Sequence, residues 1–200
     1  MGKLVEIWRH PIKSHGRETL ESIEVKEGHT LPGDRDYAVA HDQSDADGST
    51  WVPCQNFSRG SKAPGLMAIN LTWNEAQNTM TLTHPKLPDL TINPDDPEDQ
   101  KRFLAWEAPL IPDNRAQSAR LVRAASRGMT DTDYIMIGDV TFEVRERVVR
   151  CLATTANPKT GLRDADTLGT LDTWGHRDFT VAAYPKTSGV LRIGAPVRLA

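Results

Sequence analysis

The sequence predicts a mainly β protein, built as one or two small barrels with a few short helices. Apolar residues recur in short runs with a period of two, as in "LESIEV" and "TMTLTH", the alternation of half-buried strands. Gly, Pro, Asn and Asp separate these runs at intervals suited to barrels. Both halves of the chain show this texture, which favours barrels over a layered α/β sheet.

The elements follow in order. "LVEIW" (Leu4–Trp8), "LESIEV" (Leu20–Val25) and "YAVAH" (Tyr37–His41) read as the first strands. "LMAINLTW" and "TMTLTH" come next, joined by a hairpin connection over Asn74–Asn78. The stretch "LPDLTINPDDPEDQ", rich in proline and acid, is the best boundary candidate and leads into a helix. Asp96 caps that helix, Pro97 fits its first turn and early acids precede the apolar stripe of "KRFLAWEAP". Strands are then expected at "ARLVRA", "DVTFEVRERVVRCLA", "FTVAAY" and "VLRIGAPVRL". A second short helix over Asp166–Trp174, capped by Asp166 or Thr167, is weakened by Gly169 at its middle. No internal repeat or low-complexity tract interrupts the pattern.

Composition bounds the function. A chain of 200 residues can bury one substantial core or two small ones. Hydrophobic residues at 38% and charged residues at 26% are ordinary for a soluble globular protein. A formal net charge of −3 argues against a protein built chiefly to grip nucleic-acid backbone. No apolar run approaches the ~20 residues that span a bilayer. "MGKLVEIWRHPIK" lacks the apolar core of a signal peptide, so a cytoplasmic chain without membrane or nucleic-acid partners is expected. The cysteines, Cys54 and Cys151, form no close-spaced metal motif, and a reducing compartment disfavours a disulfide between them.

The chemistry concentrates around Cys151. If a strand ends there, Thr154, Thr155 and Asn157 can offer hydroxyls and an amide to a polar ligand. Pro158 to Gly161 would form a tight turn exposing N–H groups to an anion. Arg145, Arg147 and Arg150 would favour the thiolate, a soft donor suited to transition metals. An ordinary buried thiol beside solvated arginines accounts for the same residues, and local chemistry alone leaves these readings open. His176 reads as a structural residue near a turn; a Cys151–His176 nucleophilic pair has only composition behind it. Asp45, Asp47 and Gly48 lack the closing glutamate of a calcium loop.

The segment "VVRCLATTANPKTGLRDADTLGTL…WGHRDFTV…SGVLRIGAPVRL" resembles the C-terminal part of a MOSC domain, named for the molybdenum cofactor sulfurase C-terminal domain. The match runs through Arg150, Cys151, Thr154, Thr155, Asn157, Pro158, Thr160 and Gly161. "IWRHPIKSHGRETLESIEVKEGHTLPGDRDYAVAHDQ" is similar to the β-barrel domain that precedes MOSC in the mitochondrial amidoxime-reducing component and its bacterial relatives. Here the motif elements are His10-Pro11-Ile12-Lys13-Ser14 and Gly33-Asp34-Arg35, the glycine-to-aspartate spacing being compressed. The likeness covers the first third and the last quarter of the chain.

The resemblance implies a β-barrel MOSC-like fold, with an N-terminal barrel over 1–110 and a shortened MOSC domain over 111–200. It implies a molybdenum cofactor of the molybdopterin type, with Cys151 as metal ligand and catalytic residue. Lys13, Ser14, Arg35, Arg150, Thr154, Thr155 and Asn157 would hold the anionic cofactor. The implied activity is reduction of N-hydroxylated small molecules with electrons from a partner protein. A cofactor carrier, a sulfur-transfer module or a barrel without the cofactor is the alternative.

Three departures qualify the likeness. The Ser-rich strand and Arg-Phe-Arg-x-Asn element that family members place after "LVRAASRGMTDTDY" are missing, and Tyr134 runs directly into "IMIGDVTFEVRERVVRC". The shortened barrel would expose an edge or apolar surface that a homodimer could cover. Thr180 stands where the family has Gly after the Phe of "GHRDF", and Gly194-Ala195 where it has Gly-Asp.

Overall fold

A computed structural model describes residues 2–50, 52–124 and 134–199. Its elements are mostly short strands in five sheets, as the alternation predicts.

The N-terminal part begins with β1 (Gly2–Lys3), β2 (Ile7–Arg9), β3 (Glu18–Leu20), β4 (Ser22–Val25) and β5 (Tyr37–His41). The run Leu4–Trp8 is therefore not one strand: pairing starts at Ile7, where Ile7–Arg9 meets Glu18–Leu20. "LESIEV" is likewise divided at Glu21, because its halves serve different sheets. β3 pairs with β2, whereas β4 pairs with a strand from the far end of the chain. "LMAI" is not strand either. Pro64 and Gly65 open a short helical turn, Pro64–Ala68, and pairing resumes at β6 (Asn70–Asn74).

β6, β7 (Thr79–His84) and β8 (Leu87–Ile92) form an antiparallel meander, with the expected hairpin between the first two. β8 was hidden in the boundary stretch by its proline. Pro88 is tolerated because β8 pairs only with β7, so its other edge needs no donor. Helix α1 (Pro97–Glu107) follows the predicted signals: the Asp96 carboxylate accepts from the N–H groups of Glu98 and Asp99 at 2.9 and 3.0 Å. Its inner face presents Phe103 and Glu107, both fully buried.

β9 (Ser118–Arg123) returns to pair with β5. A boundary at 110/111 would fall immediately before Ile111, which shares a core with Ile12, Tyr37, Met80, Leu82 and Phe103, as does Leu121 of β9. Burying side chains of this size contributes about 1.5–3 kcal/mol each, so this cluster anchors the N-terminal part.

The remaining strands are β10 (Tyr134–Ile137), β11 (Val140–Val149), β12 (Asp178–Pro185), β13 (Gly189–Arg192) and β14 (Pro196–Leu199), with α2 (Thr167–Asp172) between β11 and β12. The largest sheet has the order β1-β14-β10-β11-β12, and β13 pairs with β4. The chain start thus completes the C-terminal sheet through Gly2↔Val197, and a second core gathers Ile7, Val25, Val140, Phe142 and Leu191 from both ends. β12 lies at one edge of that sheet and leaves Phe179 and Val181 exposed. β11 stops at Val149 rather than running to Ala153: the Arg150 N–H bonds the Arg177 carbonyl, and Cys151 opens a helical turn over Leu152–Thr155. No helix among the described residues is long and apolar enough to cross a membrane.

Candidate functional site

Two sequence elements, 10–14 and 33–37, lie side by side. The His10 N–H donates to Asp34 Oδ1 at 2.8 Å, and the Arg35 N–H donates back to the His10 carbonyl at 2.7 Å. Tyr37 N–H then bonds the Pro11 carbonyl at 3.0 Å, and Lys13 N–H the Tyr37 carbonyl at 2.8 Å. These bonds fix Lys13, Ser14 and Arg35 in one neighbourhood.

Lys13 and Ser14 occupy the centre of a tight turn closed by the His15 N–H on the Ile12 carbonyl at 3.0 Å. Both flanking side chains, Ile12 and His15, are fully buried, so the turn is pinned at each end. Ser14 has φ 64° and Arg35 φ 58°, left-handed conformations that glycine adopts far more easily. Gly33, φ 71°, is a glycine for a further reason: a β-carbon there would come within 2.6 Å of the Trp73 ring.

The surroundings are cationic. His10, Ser14, Gly16 and Arg17 line a small crevice with Met67 and Ile69. Burial, and after it the Arg35 cation, push His10 below its ordinary value, and Arg17 acts in the same sense. The Arg35 guanidinium pairs with Asp34 and is half exposed. Arg17 lies over the Trp8 ring at 4.6 Å, and its Nε has no hydrogen-bond partner among the described residues. His10 joins this cluster as the first residue of its motif, whereas Arg17, three residues after Ser14, carried no signal in the sequence.

Cys151 is a free, exposed thiol, and so is Cys54. The ordinary buried-thiol reading is therefore excluded for both. Cys151 sits at the head of the turn, its carbonyl accepting from the Thr154 N–H at 3.1 Å and the Thr154 hydroxyl at 2.9 Å. The other polar candidates are engaged in holding this loop. Thr154 also shares a hydrogen bond with Thr167 at 2.8 Å. The Thr155 hydroxyl donates to the Leu152 carbonyl and accepts from Arg163, each at 2.8 Å. Asn157 donates to Asp164 at 2.6 Å and accepts from the Lys159 N–H at 2.8 Å. The N–H groups of Thr160 and Gly161 turn inward onto the Asn157 carbonyl instead of facing outward for an anion.

The arginines do not ring the thiol as the sequence suggested. Arg150 donates through Nε and Nη2 to the Phe179 carbonyl at 2.9 and 2.7 Å and also to the Thr180 hydroxyl. Arg145 is largely buried beside Glu143 at 3.4 Å. Among the described residues no three His, Cys, Asp or Glu side chains gather as a metal cluster.

The segment 60–67 brings the two halves together. Arg163 Nη2 donates to the Ser61 carbonyl at 2.9 Å. A β-carbon on Gly161 would fall 2.8 Å from Gly65 Cα, and one on Gly60 would meet both Met67 and Ala153. Met67 in turn lines the crevice with Ser14 and His10. On the other side of the Cys151 turn, Arg150, Thr154, Leu171, Trp174 and Phe179 border an open cleft of about 530 Å³.

A family model described as the MOSC N-terminal beta barrel domain matches residues 1–131. No curated protein matches the chain.

Proposed function

We propose, since the chain belongs to the MOSC N-terminal beta barrel domain family, that it binds a molybdenum cofactor and reduces small N-hydroxylated molecules. The observation that carries this reading is the pairing of 10–14 with 33–37, which gathers Lys13, Ser14 and Arg35 around two strained backbone positions. Backbone strain persists where surrounding structure enforces it, and it concentrates at functional positions. The residues present fit the group: an exposed thiol suits a soft metal, and a cationic turn suits an anionic phosphate.

In this reading Cys151 ligates the metal through its thiolate, and Lys13 and Arg35 neutralise the phosphate. Ser14 adds a hydroxyl at the same turn. The bound group supplies the two-electron chemistry that releases oxygen from the substrate as water. The protein contributes orientation, and the cleft beside Trp174 and Phe179 offers an apolar approach to the Cys151 turn. Electrons come from a partner protein. Arg150, Thr154, Thr155 and Asn157 act one step removed, by fixing the loop that carries the thiol.

That engagement favours a second reading, a non-catalytic carrier or sulfur-transfer module, because Thr154, Thr155 and Asn157 beside Cys151 already hydrogen-bond within their loop. Production in cells that make the cofactor, followed by molybdenum and pterin quantification, tests both. Stoichiometric cofactor in the wild type, lost in Cys151→Ala and reduced in Lys13→Ala, supports the reading. Amidoxime reduction with a chemical reductant separates the enzyme from the carrier. Wild type without molybdenum refutes the enzyme and the cofactor carrier, and wild type that also lacks a Cys151 persulfide refutes the sulfur-transfer module.

A further inference from the structure

Directly beneath the Lys13–Ser14 turn lies a buried pair that the proposed function does not use. His15 and Glu107 are both fully buried, with Nε2 and Oε2 3.6 Å apart. Glu107 comes from the last turn of α1, and His15 from the end of the motif turn. Neither carboxylate oxygen of Glu107 has a hydrogen-bond partner among the described residues. Phe103, one turn earlier on α1, stacks edge-on against the imidazole at 5.8 Å.

The imidazole has a defined orientation. Nδ1 lies 2.7 Å from the Lys13 carbonyl, which can only accept, so Nδ1 carries a hydrogen. Nε2 then faces Glu107 Oε2 at 3.6 Å, and with the Lys13 carbonyl on its other side the ring is held between the turn and helix α1.

We infer that His15 and Glu107 are positioning residues that clamp the Lys13–Ser14 turn to helix α1 and so hold it shaped for an anion. This rests on the reading of that turn as an anion site. The clamp explains how Ser14 is kept left-handed: Ile12 holds one end of the turn in the core, and the His15–Lys13 bond holds the other. A buried polar pair is a weak source of stability but a good source of a single geometry, since each partner is costly without the other.

The test uses the full chain, inorganic phosphate as probe and three variants. His15→Leu alone strands a buried carboxyl and can unfold the protein. The double variant His15→Leu/Glu107→Leu replaces the pair with apolar side chains and is expected to fold cooperatively. Glu107→Gln keeps the size of the side chain and presents an amide N–H to Nε2. The predicted results are an Nδ1–H signature for His15 in the imidazole nitrogen spectrum and at least tenfold faster hydrogen exchange at the Lys13 and His15 amides in the double variant. Phosphate affinity falls at least tenfold in the double variant and stays within twofold of wild type in Glu107→Gln. A double variant with unchanged exchange and unchanged phosphate affinity overturns the clamp. Altered exchange with no phosphate binding even in the wild type overturns the anion-site reading and leaves the clamp standing as a purely conformational device.

Discussion

Arg163 reaches back across the chain to the Ser61 carbonyl at 2.9 Å, while the same guanidinium donates to the Thr155 hydroxyl at 2.8 Å. One side chain therefore both stiffens the Cys151 turn and fastens it to the N-terminal barrel. Arg163→Ala should lower stability by roughly 1–2 kcal/mol, the scale of lost hydrogen bonds from a charged donor that is mostly exposed. Urea denaturation measures that loss. Cys151 should also react faster with a thiol reagent, because its loop loses its tether; an unchanged rate would separate Arg163 from the loop.

Thr180 has φ 136°, a region nearly restricted to glycine. Thr180→Gly should raise stability by about 1 kcal/mol, the relief of strain exceeding the entropy that glycine adds to the unfolded chain. Thr180→Ala keeps the strain and removes the hydroxyl that Arg150 bonds, so it should be less stable than wild type. Chemical denaturation of the pair distinguishes strain from hydrogen bonding.

Ser14 allows stability and binding to be pulled apart. Ser14→Gly should stabilise the fold by about 1 kcal/mol, since a left-handed residue is relieved, and yet weaken phosphate binding through loss of the hydroxyl. Thermal melting and phosphate titration check the two effects on one sample. A variant that binds phosphate as well as wild type would remove Ser14 from the site.

Acid should destabilise the protein before its carboxylates titrate. His10 and His84 are both held below the ordinary value of 6.5, chiefly by burial and next by a cation, Arg35 for His10 and Lys86 for His84. The unfolded chain therefore binds protons at these sites before the folded chain does. Their full contribution is present above pH 6.5 and declines as pH falls through 6.5 toward the folded values. Denaturation midpoints between pH 8 and pH 5 should show this fall, and His10→Asn should flatten it.

Much of this architecture could be read from the residues, where local signals and tertiary partners agree. "TMTLTH" is β7 because its alternation matches its burial, and Asp96 caps α1 where sequence placed the cap. The failures share a cause. "LESIEV" is broken at Glu21 because its two halves pair with strands distant in sequence, which local periodicity cannot encode. β8 was masked by Pro88, acceptable only because that strand lies at an edge. At the site, residue types were visible but directions were not. Arg150 and Asn157 look like ligands in sequence and act as braces in the fold. The His15–Glu107 pair joins a turn to a helix far along the chain, and neither residue alone gives a signal.

The proposed ligation of molybdenum by the Cys151 thiolate leaves a spectroscopic mark. X-ray absorption at the molybdenum edge, on protein loaded in cofactor-producing cells, tests it most directly. Wild type should show one more short sulfur scatterer than Cys151→Ser, with molybdenum still detectable in the variant. The same sulfur count in both proteins would contradict it.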